Sequence, residues 1–542
     1  MKRVTFLIAF IFTIFNISRA AGYKISGEIK GLENDTVLLG YYFGENKYAT
    51  DTAFSNQGRF VFQGKEELKG GMYFVLLPEQ QFFDIIITEQ KFSFSTTMDN
   101  LIGNMKFNNS KENPPFYEYI NFIGDKQNEV TPLRNKLQNT KGEKKENIEQ
   151  KIADIDKDVK SYRTDFLAKH KNIFFSKIIK ATTEIEFSGL DENKLITYKD
   201  NNGENQTIKA ALAAKLEDNH PAKSAYKKEE QIEAFTNYKN HFWDHIDFSD
   251  ERMLRTPIFF SKMELYLNKI TIQNPDSIKK SADFMLEKAK RNKDIFKYIV
   301  THITSTYERS KIMGMDAVFV HMVEKYYMQG ECDWVDDKQL KKIIERAQEI
   351  APNVIDAIAP DFIIERTLVD DDGKPMLDSS GKPVLISQPF MKDTNGVNYS
   401  LQSIKTDWTL LIFYGPSCGH CKKEIPKIKN VYDSLITLGV SITGFAVATE
   451  FDTLEWRKFI KEQEIGDWIN VADILFDDNG DLQASSNWRD KYDIKSTPMV
   501  YLLYNVNQQN QIKAKKLNHE QLGPFILDFI EREEKKKTKQ KQ

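Results

Sequence analysis

The chain has 542 residues, 40% of them hydrophobic and 12% aromatic, with a formal net charge of −3 and an isoelectric point near 6.3. This is an ordinary globular composition, and the length suits three or four domains on the soft prior of about 150 residues each. It excludes the basic face that nucleic-acid binding demands, so no nucleic-acid partner is expected.

The chain opens "MKRVTFLIAFIFTIFNISRAAGYKIS". Lys2 and Arg3 form a basic start, Val4 to Ile17 an apolar run, and Ser18-Arg19-Ala20 a small-x-small cleavage site. That pattern predicts a secretory signal peptide over residues 1–20, with the mature chain starting near Ala21. The apolar run falls short of the roughly 20 residues a comfortable span needs. No cysteine follows it to carry a lipid, and no later segment is apolar enough to span a bilayer. The expectation is an exported, soluble protein, periplasmic or associated with the cell envelope.

Residues 22–110 alternate apolar and polar between Gly, Asn and Pro turns, as in "YKISGEI", "GRFVFQG" and "FFDIIIT". They predict a small antiparallel sandwich or barrel. Residues 113–350 change texture to charged stretches with apolar residues three and four apart, which predicts an α-helical domain. The alternating charges around residues 141–160 read as a solvated helix face, consistent with a long helical hairpin. His241 and His245 stand four apart, but the glutamate of H-E-x-x-H is absent and no third ligand is evident. Packing of an aromatic helix is the better reading. Asp316 and His321 read as capping and packing residues.

From "APNVIDAIAPDF" onward, strands and helices alternate over residues 355–532, which implies a sheet with helices on both faces. "DWTLLIFYG" is a continuous apolar run of the buried central-strand kind. A helix follows it, from "CKKEIP" to Gly439, and later come the strand-like "VSITGFAVAT" and "STPMVYLLY". Residues 533–542 form a charged tail, expected to fray.

The chemistry lies in "FYGPSCGHCKKEIP", Phe413 to Pro426. Only three cysteines exist in the whole chain, so an exported protein of this size is not held together by disulfides. Cys332 is the odd one out and reads as a buried unpaired thiol. Cys418 and Cys421 follow a strand and a short turn at the start of a helix. Unpaired backbone N–H groups and the helix dipole there favour an anion, which lowers a thiol's pKa and supplies the thiolate that attacks disulfides. Cys421, one turn along, is placed to resolve the mixed disulfide. A zinc site would need a second ligand pair, and none follows. Glu424 lies three residues after Cys421 on the same helix face. A partly buried carboxylate there, its pKa raised toward neutrality, would take and return the resolving thiol's proton.

Residues from about 355 to 530 resemble the thioredoxin-like superfamily, especially its exported TlpA-type thiol–disulfide oxidoreductases. The resemblance rests on the lead-in Ala359 to Phe362, on "CGHCKKEIP" with Pro426 eight residues after Cys418, and on Thr497-Pro498 before a strand. It implies that Pro498 is a cis-proline facing the redox pair and, with Thr497, shapes the substrate groove. Thioredoxin's buried aspartate, six residues before the first cysteine, is Ile412 here, which shifts the acid–base role to Glu424 as in TlpA-type reductases. Gly419-His420 is similar to the disulfide isomerase motif, whose imidazole stabilises the thiolate and pulls toward oxidase or isomerase chemistry. A peroxiredoxin would want Pro-x-x-x-Thr/Ser-x-x-Cys, and Leu411 and Gly415 stand at those positions instead. The regions before the C-terminal domain resemble those preceding thioredoxin-like domains in exported bacterial proteins and bring no chemistry with them.

The reading is therefore a multi-domain thiol–disulfide oxidoreductase that needs no cofactor beyond its cysteine pair. Its expected partners are disulfide-containing exported proteins, apocytochrome c among the candidates, and a membrane dithiol electron donor. The rival from another class is an envelope binding or scaffold protein whose thioredoxin-like domain is secondary.

Overall fold

A computed structural model describes residues 22–370, 374–450, 452–473, 475–476, 482–483 and 488–540. The expected signal peptide lies outside these residues. Among the described residues, those up to Thr271 with Glu287–Phe296 form one compact unit, and Ile272–Leu286 with those from Lys297 onward form a second.

The first unit begins with eight strands: β1 (Lys24–Lys30), β2 (Thr36–Phe43), β3 (Asn46–Phe54), β4 (Arg59–Gln63), β5 (Gly71–Leu76), β6 (Phe82–Ile87), β7 (Lys91–Thr97) and β8 (Lys106–Asn108). They make two four-stranded sheets, β4-β1-β7-β8 and β3-β2-β5-β6. Alternation drives the stacking: in β1, Ile25 and Ile29 face inward while Lys24, Glu28 and Lys30 face water. Both sheets contribute to one core, which joins Ile25, Phe62 and Phe94 to Leu39, Val75 and Ile85. The pairing is antiparallel except between β1 and β7, which run parallel.

Helices α1 (Asn113–Leu137) and α2 (Glu143–Lys169) follow as a helical hairpin. Phe122 stacks on Tyr162 across it with ring centroids 3.8 Å apart. The helical texture is then interrupted by a β-hairpin, Leu195–Lys199 against Asn205–Lys209, which helical periodicity did not predict. The Asn201-Asn202-Gly203 turn, with Gly203 at φ +84°, explains it. The helix Pro221–His241 ends at His241, so His245 lies beyond it rather than one turn along. Phe242 and Trp243 between them are buried.

In the second unit, Asp316 opens the helix Asp316–Met322 and its carboxylate pairs with the buried Lys515. His321 meets Asp283 through Nε2 at 2.9 Å.

The C-terminal domain is built on six strands: β9 (Lys392–Asp393), β10 (Trp408–Tyr414), β11 (Ile442–Ala448), β12 (Ile469–Ala472), β13 (Met499–Val506) and β14 (Gln509–Lys515). Their order is β9-β12-β11-β10-β13-β14. β10, β11 and β12 run parallel, and β13 lies antiparallel beside β10. Every residue of β10 is buried, as a central strand covered on both faces requires.

Leu410, Ile412 and Tyr414 share one core with helices α3 (Gly419–Thr437), α4 (Thr453–Glu462) and α5 (His519–Gln540). Leu411 and Phe413 face the other way, under Ala359, Phe362, Phe390 and the short helix Trp488–Lys491. The three longer helices thus gather on one face, and the lead-in segment covers most of the other. Contrary to the expectation of fraying, α5 continues to Gln540. The i, i+3 and i, i+4 pairs Glu533–Lys536 and Glu531–Lys535 support its last turns.

Candidate active site

The turn from Gly415 to Cys418 leaves the C-terminal end of β10 and enters α3, where Cys418 is the N-cap residue. Its backbone is extended (φ −67°, ψ 115°), and its sulfur accepts the Cys421 N–H at 3.4 Å. This N–H is one of the donors a helix N-terminus leaves without a partner inside the helix. The Cys418 thiol donates to the Thr497 carbonyl at 3.4 Å. Thr497 is joined to Pro498 by a cis peptide bond, immediately before β13. Cys418, Cys421, Thr497 and Pro498, quoted from segments some 80 residues apart, thus meet at one end of adjacent strands β10 and β13.

The two thiols differ sharply. Cys418 is half-buried, whereas Cys421 is fully buried in the core beside Ile425 and Tyr414. Burial pushes the Cys418 thiol up. Hydrogen bonds from the Cys421 side chain, from Thr497 and from the Cys421 and His420 backbone outweigh that, and its pKa is held below the ordinary value. Burial pushes the Cys421 thiol up to about 12, and its hydrogen bond to Cys418 adds to the rise. The surroundings thus favour ionisation at Cys418 and oppose it at Cys421.

His420 reaches Cys418 through its backbone N–H, and its side chain is exposed. Gly419 leaves the first helical position open, with no atom within 4 Å of where a Cβ would stand. Ile412, at the position of thioredoxin's aspartate, is fully buried in the core.

Glu424 departs from expectation. Its Oε1 accepts both the backbone N–H of His519 at 3.0 Å and the imidazole Nδ1–H at 2.7 Å. Burial raises its pKa, but these two bonds and the nearby charges of His519 and Lys427 outweigh it, so the carboxyl is held below its ordinary value. The predicted rise toward neutrality is therefore corrected: the group is partnered, not stranded in an apolar pocket.

Two further residues shape the site. Glu450, two residues past the end of β11, accepts the Ser417 N–H at 2.9 Å and the Ser417 hydroxyl at 2.7 Å. A Cβ on Gly415 would stand 2.3 Å from the Glu450 carboxylate, so a larger residue there would have to displace that side chain. A carboxylate just beyond a parallel strand, beside the strand that carries the cysteines, is where α/β folds place functional groups, and that signal was readable. His519 gave no such signal, because only the packing of α5 on α3 brings it to Glu424 across 95 positions. Buried under Cys421, Tyr414 accepts the Trp456 indole N–H at 2.9 Å. Among the described residues, no cluster of three or more His, Cys, Asp or Glu is arranged to hold a metal ion.

Comparison with known proteins agrees with this geometry. Residues 385–509 match the AhpC/TSA family model. Residues 23–116 and 225–353 match two domains of unknown function, DUF4369 and DUF5106. The chain is 28% identical over 113 residues to the thiol-disulfide oxidoreductase ResA of Bacillus subtilis, a stretch that is 21% of this chain and 56% of that protein. The match thus spans little more than half the length of that curated relative.

Among solved structures, a thioredoxin-like protein from Bacteroides caccae is 16% identical and aligns over 54% of this chain and 92% of its own, with a TM-score of 0.37. A domain of a possible thiol-disulfide isomerase from Cytophaga hutchinsonii is 29% identical and aligns over 27% and 90%, with a TM-score of 0.23. A strand, a C-x-x-C at a helix N-terminus, a facing Thr-Pro and a family match over the same residues converge. The C-terminal domain of this chain is similar to thioredoxin-like thiol–disulfide oxidoreductases.

Proposed function

We propose that the protein reduces disulfides in other exported proteins, with Cys418 as nucleophile and Cys421 as resolving thiol. The observation that carries this is the split between the two thiols, one half-buried and lowered, the other buried and pushed up to about 12. The Cys418 thiolate attacks one sulfur of the substrate disulfide. That bond breaks, the leaving sulfur takes a proton, and a mixed disulfide joins Cys418 to the substrate. Cys421 then loses its proton and attacks the Cys418 sulfur, releasing the second substrate thiol. Two electrons have passed to the substrate, and the chain holds a Cys418–Cys421 disulfide. A membrane dithiol donor, by exchange through the same two steps in reverse, restores the pair.

Gly419 and His420 supply backbone at the helix N-terminus, and Thr497 with Pro498 frames the groove in which the substrate backbone lies. Glu424 braces α5 against the redox helix. The basic, apolar and small-residue run over residues 1–20 supports export to the periplasm or envelope, where disulfides persist and where apocytochrome c would be a candidate substrate.

Replacing Cys421 with Ser should trap mixed disulfides with substrate proteins, while replacing Cys418 with Ser should trap none. Equal trapping by both variants overturns the assignment. The lowered Cys418 pKa favours a second reading, net oxidation or isomerisation, because a stabilised thiolate makes the disulfide form more oxidising. Titration against glutathione buffers separates the two. A potential near about −270 mV marks a reductase and one above about −180 mV an oxidase or isomerase.

A further inference from the structure

The β-sandwich contains a feature that the redox chemistry does not use. A cavity of about 510 Å³ opens between the β4–β5 connection and the turn Glu251–Arg255. Tyr23, Tyr41 and Tyr73 line it, with Arg255 at one wall. Arg255 is only 7% exposed, yet its Nη1 has no hydrogen-bond partner. Among the described residues it forms no ion pair, and its guanidinium lies 5.7 Å from the Phe43 ring centroid. An arginine cannot shed its charge as a buried lysine can. A buried, uncompensated charge with an open donor is the arrangement that native structures avoid unless an anion completes it.

The surroundings hold this guanidinium in place. Gly71 opens β5 at φ +149°, and a Cβ there would stand 2.4 Å from the Arg255 Cβ, so the strand start is shaped to admit the arginine. Two of the three tyrosine hydroxyls are engaged elsewhere. Tyr23 donates to Asp51 at 2.7 Å and Tyr73 to the Lys69 carbonyl at 2.7 Å. Their rings are therefore left as apolar walls, with Tyr41 and Tyr73 tilted together at 5.8 Å between centroids.

We propose that this cavity binds a carboxylate carried on an aromatic or apolar body, held by the Arg255 fork and packed between the tyrosines. One buried cation balances one negative charge, and the planar fork matches a carboxylate. Lys65, Glu66, Glu67 and Lys69 on the same lining offset one another, so the single buried cation sets the ligand's charge and favours a monoanion. The volume falls in the range of small-molecule pockets. The carboxylate is that of a free aromatic acid or of a peptide C-terminus ending in an aromatic residue.

Calorimetric titration of the full chain tests this with four probes: phenylacetate, the peptide Gly-Gly-Ala-Phe, its C-terminal amide, and inorganic phosphate. Saturable binding of at least one carboxylate is expected, with the amide and phosphate at least 10-fold weaker. Equal affinity for the acid and the peptide identifies a free acid as the natural ligand type, and a 10-fold gain for the peptide identifies a C-terminus. R255Q should lose at least 10-fold in affinity for the carboxylates. Should R255Q fail to fold, labelling of wild-type Arg255 by phenylglyoxal, blocked by the bound carboxylate, decides the matter instead. Lack of binding by either carboxylate, an amide that binds equally, tighter binding of phosphate, unimpaired R255Q, or labelling that the carboxylate does not block overturns the proposal.

Discussion

Cys332 and Cys418 both sit in turns beside helices, and the two turns make opposite things of the same side chain. Cys332 is 4% exposed, and burial with the charges of Glu331 and Asp333 on either side pushes its thiol up to about 12. Cys418 is half-buried, and donors from the first turn of α3 and from Thr497 hold its thiol below the ordinary value. Cys421, buried and pushed up to about 12, resembles Cys332 far more than its own neighbour. Reactivity here follows from donors pointed at a sulfur, the Cys421 thiol first, then Thr497 and the backbone N–H groups of Cys421 and His420. Being next to Cys418 gives Cys421 a partner but does not make it a thiolate.

The sharpest way to break this comparison is to remove each sulfur in turn. Cys418→Ser should abolish dithiol-driven disulfide reduction, a loss of at least ~10³-fold, since a hydroxyl at that position is not an effective nucleophile at neutral pH. Cys332→Ala should leave that turnover unchanged. In the folded wild type, iodoacetamide at pH 7 should label Cys418 and leave Cys332 and Cys421 unlabelled. Labelling of Cys332 at a comparable rate would show that the environments do not differ as described.

The comparison also predicts opposite pH behaviour. Alkylation of Cys418 should rise with pH around a midpoint below the ordinary thiol value of 9.0. Cys421→Ala removes one of the lowering hydrogen bonds and should move that midpoint upward. For Cys332 the folded value is raised, so its contribution to stability is fully present below 9.0 and is lost as pH climbs toward about 12. Wild type should therefore lose stability against Cys332→Ala between pH 9 and pH 12. Urea midpoints for the pair at pH 8 and pH 11 check the sign: the variant's deficit should shrink at the higher pH.

A smaller effect should come from the brace under the reactive turn. Glu450→Gln removes the charge and one of the two oxygens that separately accept the Ser417 N–H and its hydroxyl. The turn that carries Cys418 loosens, and exchange should slow by about 3- to 10-fold without loss of fold. Gly415→Ala pushes the same carboxylate aside and should give a loss no larger than that of Glu450→Gln. Stopped-flow measurement of mixed-disulfide formation reads both, and unchanged rates would show that Glu450 is not a brace.

What the sequence made legible was local. The C-x-x-C at a helix start, the apolar run of β10 and the alternation of β1 each declare themselves within a few residues, because a strand face or a helix terminus has a short period. Thr497-Pro498 became readable only through a family resemblance, since nothing adjacent to it says that it faces Cys418. The ionisation of Glu424 departs from expectation for the same reason. Its helix face follows from spacing to Cys421, but the group that fixes its ionisation, His519, lies on another helix. Arg255 could not be read at all, because its isolation is a property of what surrounds it in space.

The last test concerns Glu424, where the sequence expectation and the geometry disagree. Its carboxylate, 24% exposed, takes both the N–H and the imidazole of His519, itself 26% exposed. Its folded pKa is lowered, so the stability it contributes is present above the ordinary carboxyl value and is lost as pH falls through the folded value. Glu424→Gln keeps an acceptor but removes the charge. A hydrogen bond to a charged group exceeds a neutral one by about 1 kcal/mol, and partial exposure screens part of that. The variant should be about 0.5–1 kcal/mol less stable at pH 7, and the deficit should fade as pH falls below the ordinary carboxyl value of 4.5 and through the lowered folded value. Disulfide exchange should change by less than about 3-fold, because the carboxylate is engaged with α5, and exposed Glu462→Gln should change neither quantity. An exchange rate lowered by about 10²-fold, with a flattened pH profile of the resolving step, would instead restore Glu424 as the proton acceptor for Cys421. His519→Asn separates the two roles: a brace weakens with it, while a free proton acceptor keeps working.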